Sequence, residues 1–407
     1  MSKNLFVGAD IDARKFVICF LNDDGKQLGK IFSLPNSSEG TKTLTEKIIT
    51  LCKKHNLNEI KIGCEATSQY SFHFLNEMSS DKNLHMFNTV VFQLNPKLIR
   101  GFKKSYPDTD KTDLKDAFVI ADRLRFGRLP QPYLPNQNHL PLQRLTRFRF
   151  HVVQNISREK NYLFSLIFLK YSAYKQQKTF SNEFGATSQA VLTEFLTADE
   201  IADTNVETLT EFIIKKGKNR FSDPEDIVKN IKAMARKSYK IRPELAKSVN
   251  LVLAMTLKNI GVMQKSLKEV NKAISDELKA FPNTLQSVPG IGQIYTAGII
   301  AEIGDINRFE NEAKLAKFAG LAWRKFQTSD YQAEETPFFR SSNKYLRYYL
   351  VQAANSLKNH NAEYRKFYDS KYKEALIHKH KRALVLTARK FVRLAYAMLK
   401  SGKLYQA

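Results

Sequence analysis

The sequence predicts an α/β domain at the amino end followed by a largely helical remainder, and three observations carry this. Over residues 1–128 short apolar runs alternate with helical patterns in the order βββαβαβα. Residues 129–141, with prolines at 130, 132, 135 and 141 among Gln and Asn, then resist helix and strand and read as a linker. Beyond it, two stretches keep an approximate heptad of apolar residues.

Residues 5–11 form an apolar run that reads as a strand, with Asp10 at its end. Residues 16–21 and 30–34 flank Asn22-Asp23-Asp24-Gly25, and an Asp-Gly pair between apolar runs is a strong hairpin signal, so three antiparallel strands open the domain. Residues 41–55 carry Leu44, Ile48, Ile49, Leu51 and Cys52 at helical spacing. A fourth strand over 59–63 delivers Glu65 at its carboxyl end, where open α/β sheets gather ligands. A helix near 70–78, a fifth strand over 85–93 and a helix over 112–126, closed by Gly127 with Pro130 beyond, complete the order of the ribonuclease H fold.

Asp113 and Asp116 share a face of that last helix, while Ala117, Ile120, Ala121 and Leu124 supply its apolar stripe. Two carboxylates on one face repel unless a cation joins them. Taken singly each acid has an ordinary role: Asp10 and Glu65 suit solvated strand ends, Asp12 competes for the face of Asp10, and Asp113 suits the first turn of a helix. Four acids in fold order read instead as a metal site. Phosphodiester chemistry uses two divalent ions about 4 Å apart, and hard cations such as Mg²⁺, or Mn²⁺ in its place, take carboxylate oxygen.

Composition agrees with a polyanionic partner. The 65 Lys and Arg against 40 Asp and Glu leave a formal charge of +25, which favours nucleic acid and gives salt-dependent binding. Basic clusters stand at Lys103-Lys104, 215–220, 236–242 and 378–382, each read as a solvated face. His378 and His380 belong to the last of these, not to a metal site. Cys19, Cys52 and Cys64 lie in apolar segments, which suits buried reduced thiols and excludes a disulfide frame or a zinc site. No signal peptide or membrane-spanning run is read, so no membrane is expected and the expected location is the cytoplasm.

At 407 residues two or three domains are expected: 1–137 as the nuclease-like domain, 138–280 as a helical, coiled-coil region with an insertion, and 281–407 as a mainly α carboxyl-terminal domain. Leu142, Leu145, Val152, Ile156, Leu163 and Leu166 keep one heptad, and Ile260, Met263, Leu267, Val270, Ile274 and Leu278 the other. Arg149 and Glu159 interrupt the first, so an antiparallel coiled coil and an ordinary helical bundle both fit. Residues 171–243 are helical in patches such as 206–215, with no recognisable chemistry. Val288-Pro289-Gly290-Ile291-Gly292 before an apolar helix over 295–303 looks like a helix-hairpin-helix element whose amides could hold a phosphate.

Gly8-Ala9-Asp10, Glu65-Ala66-Thr67 and Lys111-Thr112-Asp113-Leu114-Lys115-Asp116-Ala117 resemble the motifs of DEDD transposases of bacterial insertion sequences, relatives of the Piv invertase with a RuvC-like nuclease domain. Ala301-Glu302-Ile303-Gly304-Asp305-Ile306, Arg308-Phe309 and Phe318-Ala319-Gly320-Leu321-Ala322 are similar to the same family's carboxyl-terminal domain, so the resemblance covers both ends. It implies Mg²⁺ held by Asp10, Glu65, Asp113 and Asp116, and a serine nucleophile for which Ser329 is the candidate. Asp330 stands where the family has glycine, and Thr328, Ser341 and Ser342 are neighbouring hydroxyls. The resemblance also favours the coiled coil, a homo-oligomer (dimer or tetramer), and a non-coding bridge RNA that pairs with donor and target DNA. The function it implies is recombination of DNA through a phosphoserine link. The alternatives are a RuvC-like endonuclease of the junction-resolving kind, which hydrolyses DNA without a covalent intermediate, and a non-catalytic binding protein that keeps the fold.

Overall fold

The computed structural model describes residues 3–66, 69–106, 112–133, 138–177, 179–323, 327–328, 331–332 and 342–406. The chain divides into two compact units, Met1–Gln137 and Asn138–Ala407.

The first unit contains, in order, β1 (Asn4–Ile11), β2 (Lys15–Leu21), β3 (Phe32–Pro35), α1 (Ser38–His55), β4 (Glu59–Glu65), α2 (Ser71–Ser80), α3 (Lys82–His85), β5 (Thr89–Leu94), α4 (Pro96–Lys103) and α5 (Asp113–Phe126). The sheet order is β3-β2-β1-β4-β5, with β1–β2 and β2–β3 antiparallel and β1–β4 and β4–β5 parallel. This mixed sheet is compatible with a ribonuclease-H-like domain. The central strand is apolar on both faces because both are covered. Leu5, Val7, Ala9 and Ile11 pack with Leu44, Ile48 and Phe74 on one side. On the other, Phe6 packs with Ala117, Ile120, Ala121 and Leu124 of α5.

Several boundaries differ from the sequence reading, and α4 is a helix that it did not contain. The chain turns at Asn22–Gly25, Gly25 taking φ 78°, but then bridges Leu21 to Gln27, so β3 begins at Phe32 and not at residue 30. Asp81 accepts a hydrogen bond from the Asn83 amide and nucleates α3, which delays β5 to Thr89. Pro141 sits in the first turn of a helix, where its missing N–H loses no bond, so it does not belong to the linker.

The second unit opens with α6 (Leu140–Lys170), followed by α7 (Ala186–Glu194), α8 (Ala198–Asp203), α9 (Val206–Gly217), α10 (Pro224–Lys237) and α11 (Pro243–Leu278). The long helices α6 and α11 run antiparallel: Leu142 clusters with Ile274 and Leu278, and Leu163 and Leu166 with Leu253, Leu257 and Ile260. Residues between them are more ordered than patches of helix. Leu192, Ile201, Leu209, Ile213, Val228 and Ile231 close a core of their own against the facing ends of α6 and α11. After them come α12 (Gln293–Ile303), α13 (Glu312–Ala319), the short strands β6 (Gln327–Thr328) and β7 (Tyr331–Gln332), α14 (Lys344–His360), α15 (Ala362–Glu374) and α16 (Lys379–Ser401). Cys19, Cys52 and Cys64 are free and buried. Among the described residues no helix is long and apolar enough to cross a membrane.

Candidate functional site

The acids of the first unit are brought together by two glycines. A Cβ on Gly8 would stand 2.2 Å from the Ala117 carbonyl oxygen and 2.4 Å from the Ala121 nitrogen, and one on Gly63 would stand 2.8 Å from a Leu124 methyl. At Gly8 the obstacle is backbone, so only glycine lets α5 lie directly on β1; at Gly63 it is the end of the Leu124 side chain, which a Cβ would have to displace. The parallel register pairs Gly8 with Gly63 and Ala9 with Cys64. One step further it sets Asp10 beside Glu65 on neighbouring strands, about 4.8 Å apart and on the face that α5 covers.

Asp113 and Asp116 enter from the first turn of α5. Thr112 starts that turn by accepting the Lys115 amide at 3.3 Å, and its carbonyl accepts the Asp116 amide at 3.0 Å. Burial, then the neighbouring carboxylates of Asp116, Asp113 and Asp12, push the Asp10 carboxyl up to about 6. Burial, Asp10 and Asp116 likewise push Glu65 up, against the opposing charges of Lys103 and Arg100. Asp12 is different. Its Oδ1 accepts the amides of Arg14 at 2.6 Å and Lys15 at 2.9 Å, which holds it below the usual carboxylate range and commits it to the β1–β2 turn.

Two of the four acids are held by lysines. Lys15 Nζ lies 3.0 Å from Asp113 Oδ2, and Lys103 Nζ, from the end of α4, contacts Asp116 Oδ1. Among the described residues no group of three His, Cys, Asp or Glu side chains is drawn close enough to hold an ion. The donor set nonetheless suits a divalent ion in its chemistry: it is all carboxylate oxygen, Asp10 and Glu65 are pushed up by burial and by their acidic neighbours, and only two ammonium groups stand against the four acids. Asp10, Glu65, Asp113 and Asp116 are the residues that would hold Mg²⁺. The sequence reading does not single out Lys15 or Arg100 and treats Lys103-Lys104 as a solvated face. The doublet was the available signal, but only the seating of α4 beside α5 shows where it reaches.

Ser329 lies outside the described residues, as do Asp330 and Ser341. The strands on either side of Ser329 and Asp330 are paired, Gln327 with Gln332 and Thr328 with Tyr331. Ser342 Oγ accepts a bond from Arg347 Nη1 at 3.3 Å. Asn343 anchors the start of α14: its amide donates to the Phe318 carbonyl at 2.8 Å, and its Oδ1 accepts the amides of Tyr345 and Leu346. Its Nδ2 donates to Glu302 Oε2 at 2.7 Å. Glu302 is buried and receives Arg147 in two parallel bonds of 2.7 and 2.9 Å.

A transposase family model of the DEDD, IS110 type matches residues 7–169, and the transposase IS116/IS110/IS902 family model matches residues 283–369. The uncharacterized 44.8 kDa protein of insertion element IS116 from Streptomyces clavuligerus is 25% identical over 316 residues, 76% of each chain. The uncharacterized 42 kDa protein of insertion element IS900 from Mycobacterium paratuberculosis is 25% identical over 307 residues, 74% of each chain. The transposase for insertion sequence element IS1111A from Coxiella burnetii is 25% identical over 196 residues, 47% of this chain and 50% of the relative. The first family match spans the four acids and the second spans Ser329. This chain therefore belongs to the IS110-type DEDD transposases, enzymes that act on DNA.

Proposed function

We propose that this transposase cuts and rejoins the DNA of an insertion sequence, with Asp10, Glu65, Asp113 and Asp116 holding divalent ions and Ser329 as nucleophile. The observation that carries the reading is the partial burial of acids beside one another: in a chain of net charge +25, Asp10 is pushed to about 6 chiefly by burial and further by Asp116 and Asp113. Such a concentration of negative charge opposes phosphate binding until cations relieve it.

When bound, Mg²⁺ supplies charge stabilisation for the reacting phosphate and the departing oxygen. The strand-end acids Asp10 and Glu65 and the helix acids Asp113 and Asp116 fix the position of that charge. Ser329 Oγ forms a bond to phosphorus as one P–O bond of the DNA breaks; the hydroxyl proton passes to solvent and the departing DNA oxygen takes one up. The phosphodiester is thereby kept as a phosphoserine ester, and attack by a DNA hydroxyl reverses the step and rejoins the strand.

The basic surplus suits a bridge RNA held together with donor and target DNA, with target choice made by base pairing. The antiparallel helices α6 and α11 suit a homo-oligomer built on a coiled coil.

The test is a reaction of the protein, co-expressed with its native flanking DNA, in Mg²⁺, followed by mass spectrometry. A nucleotide adduct on Ser329 that disappears in Asp113→Ala is the expected result. Cleavage by Ser329→Ala that leaves free phosphate ends replaces this reading with a hydrolytic, RuvC-like nuclease.

A further inference from the structure

The acid cluster carries its own cations. Lys103 closes α4 and reaches Asp116, both side chains being about a quarter exposed at 22% and 25%. Lys15, at the start of β2, reaches Asp113 in a more open pair, at 45% and 58%. The body of α4 is fixed: Phe102 packs against Phe126 at 5.6 Å between ring centres and lies under the Arg123 guanidinium at 5.7 Å. The Lys103 ammonium, in contrast, ends a flexible four-carbon stem with three donors that serve a carboxylate or a phosphate equally well. The Lys15–Asp113 pair is open enough to exchange partners at little cost, and the Lys103–Asp116 pair, though more sheltered, still reaches solvent from both sides.

We propose that Lys103, assisted by Lys15, is an exchangeable counter-cation of the acid site: it occupies Asp116 in the free protein and transfers to a DNA phosphate as divalent metal takes the carboxylates. Metal loading and DNA binding are then linked, each strengthening the other by the same factor. The free enzyme binds metal weakly, which limits cutting to the DNA-bound state. The inference rests on reading the four acids as the metal site.

The experiment measures Mn²⁺ binding to the full chain by electron paramagnetic resonance, without and with a short mixed-sequence DNA duplex. Wild type is expected to gain about tenfold in Mn²⁺ affinity with DNA. Lys103→Met is expected to bind Mn²⁺ several-fold more tightly without DNA and to lose most of that gain, while Lys103→Arg, which keeps the charge, retains it. With metal present, the slope of log DNA affinity against log salt should fall by about one for Lys103→Met. Unchanged Mn²⁺ affinity in Lys103→Met, or an undiminished DNA-linked gain, overturns the exchange. Asp10→Asn and Glu65→Gln separate the two layers. If they leave Mn²⁺ binding intact, the acid-site reading fails and takes the exchange with it; if they abolish it while Lys103→Met changes nothing, the exchange alone fails.

Discussion

Gly8 lies so close to α5 that a Cβ there would stand 2.2 Å from the Ala117 carbonyl oxygen. Ala117 directly follows Asp116, and Gly8 shares its strand face with Asp10, so this one contact sets the separation between acids from two elements. Gly8→Ala must lift α5 from β1. Overpacking costs about 1–3 kcal/mol, and the upper end applies because the obstacle is backbone rather than a movable side chain. The urea midpoint should fall accordingly and Mn²⁺ affinity by about tenfold, roughly the effect of losing 1.4 kcal/mol of site geometry. A variant with wild-type values for both would show that the contact does not set the site.

Asp10 makes the metal-free protein sensitive to pH. Its carboxyl is raised from 3.8 to about 6 in the folded state. The native state therefore binds the proton more readily than the unfolded chain between those values, and stability falls as pH rises through the window and stays low above it. The full shift corresponds to about 3 kcal/mol, reduced to roughly 1–2 kcal/mol by partial exposure and screening. Urea unfolding in a chelator should show this loss for wild type and not for Asp10→Asn, which should be the more stable protein at neutral pH and the one that gains nothing from Mg²⁺.

The legible parts of this fold were those written in local chemistry. Gly127 as the stop of α5 is a short-range signal, and the apolar runs around Asn22–Gly25 announce their own turn; that Thr112 caps the helix and does not belong to its first turn was not read. The pairing that sets Asp10 beside Glu65 was not legible, because the Gly8–Gly63 register joins residues far apart in sequence. The same holds for Lys103 and Asp116, a pair made by packing of α4 on α5. Residues 171–243 were opaque for another reason. Two of their helices, at 9 and 6 residues, are too short for a clear period, and the common core is assembled from all four, so neither their packing nor a chemical role is written in any one of them. Ser329 was proposed from family motif alone, since no conventional His and Asp triad pattern marks a hydroxyl there as reactive.

Lys170 gives the second unit a pH dependence of the opposite sign to Asp10. It is fully buried, with Nζ donating to the Leu192 carbonyl at 2.7 Å and to Asn250 Oδ1. Burial lowers its ammonium from 10.5 to about 8, with Glu200 opposing the shift. Between those values the unfolded chain holds a proton that the native state has released, so stability rises with pH across the window and the penalty is complete below it, up to about 3 kcal/mol. Lys170→Met should flatten this rise while leaving the Leu192 carbonyl unpaired, a loss of about 1–3 kcal/mol in the alkaline range. Urea unfolding of both proteins on either side of the window reads the difference in slope.

Glu302 and Asn343 hold the point where the chain leaves the Ser329 segment and enters α14. The Glu302 side chain is completely buried and shared between Arg147 and Asn343. Breaking a buried pair from one side costs about 3–5 kcal/mol; Arg147 is 33% exposed and recovers some hydration, so Glu302→Ala should lie at the low end. Asn343→Ser separates the two roles of Asn343. Serine keeps an oxygen for the amides of Tyr345 and Leu346 but has no donor that reaches Glu302, so the loss should be about 1 kcal/mol, against roughly 2 kcal/mol for Asn343→Ala, which also loses the cap. Amide hydrogen exchange locates the effect. Faster exchange at Tyr345 and Leu346 in Asn343→Ala, with α12 protected as before, is the expected pattern; unchanged exchange at those two amides would mean that the helix start is held by the Phe318 carbonyl and not by the Asn343 side chain.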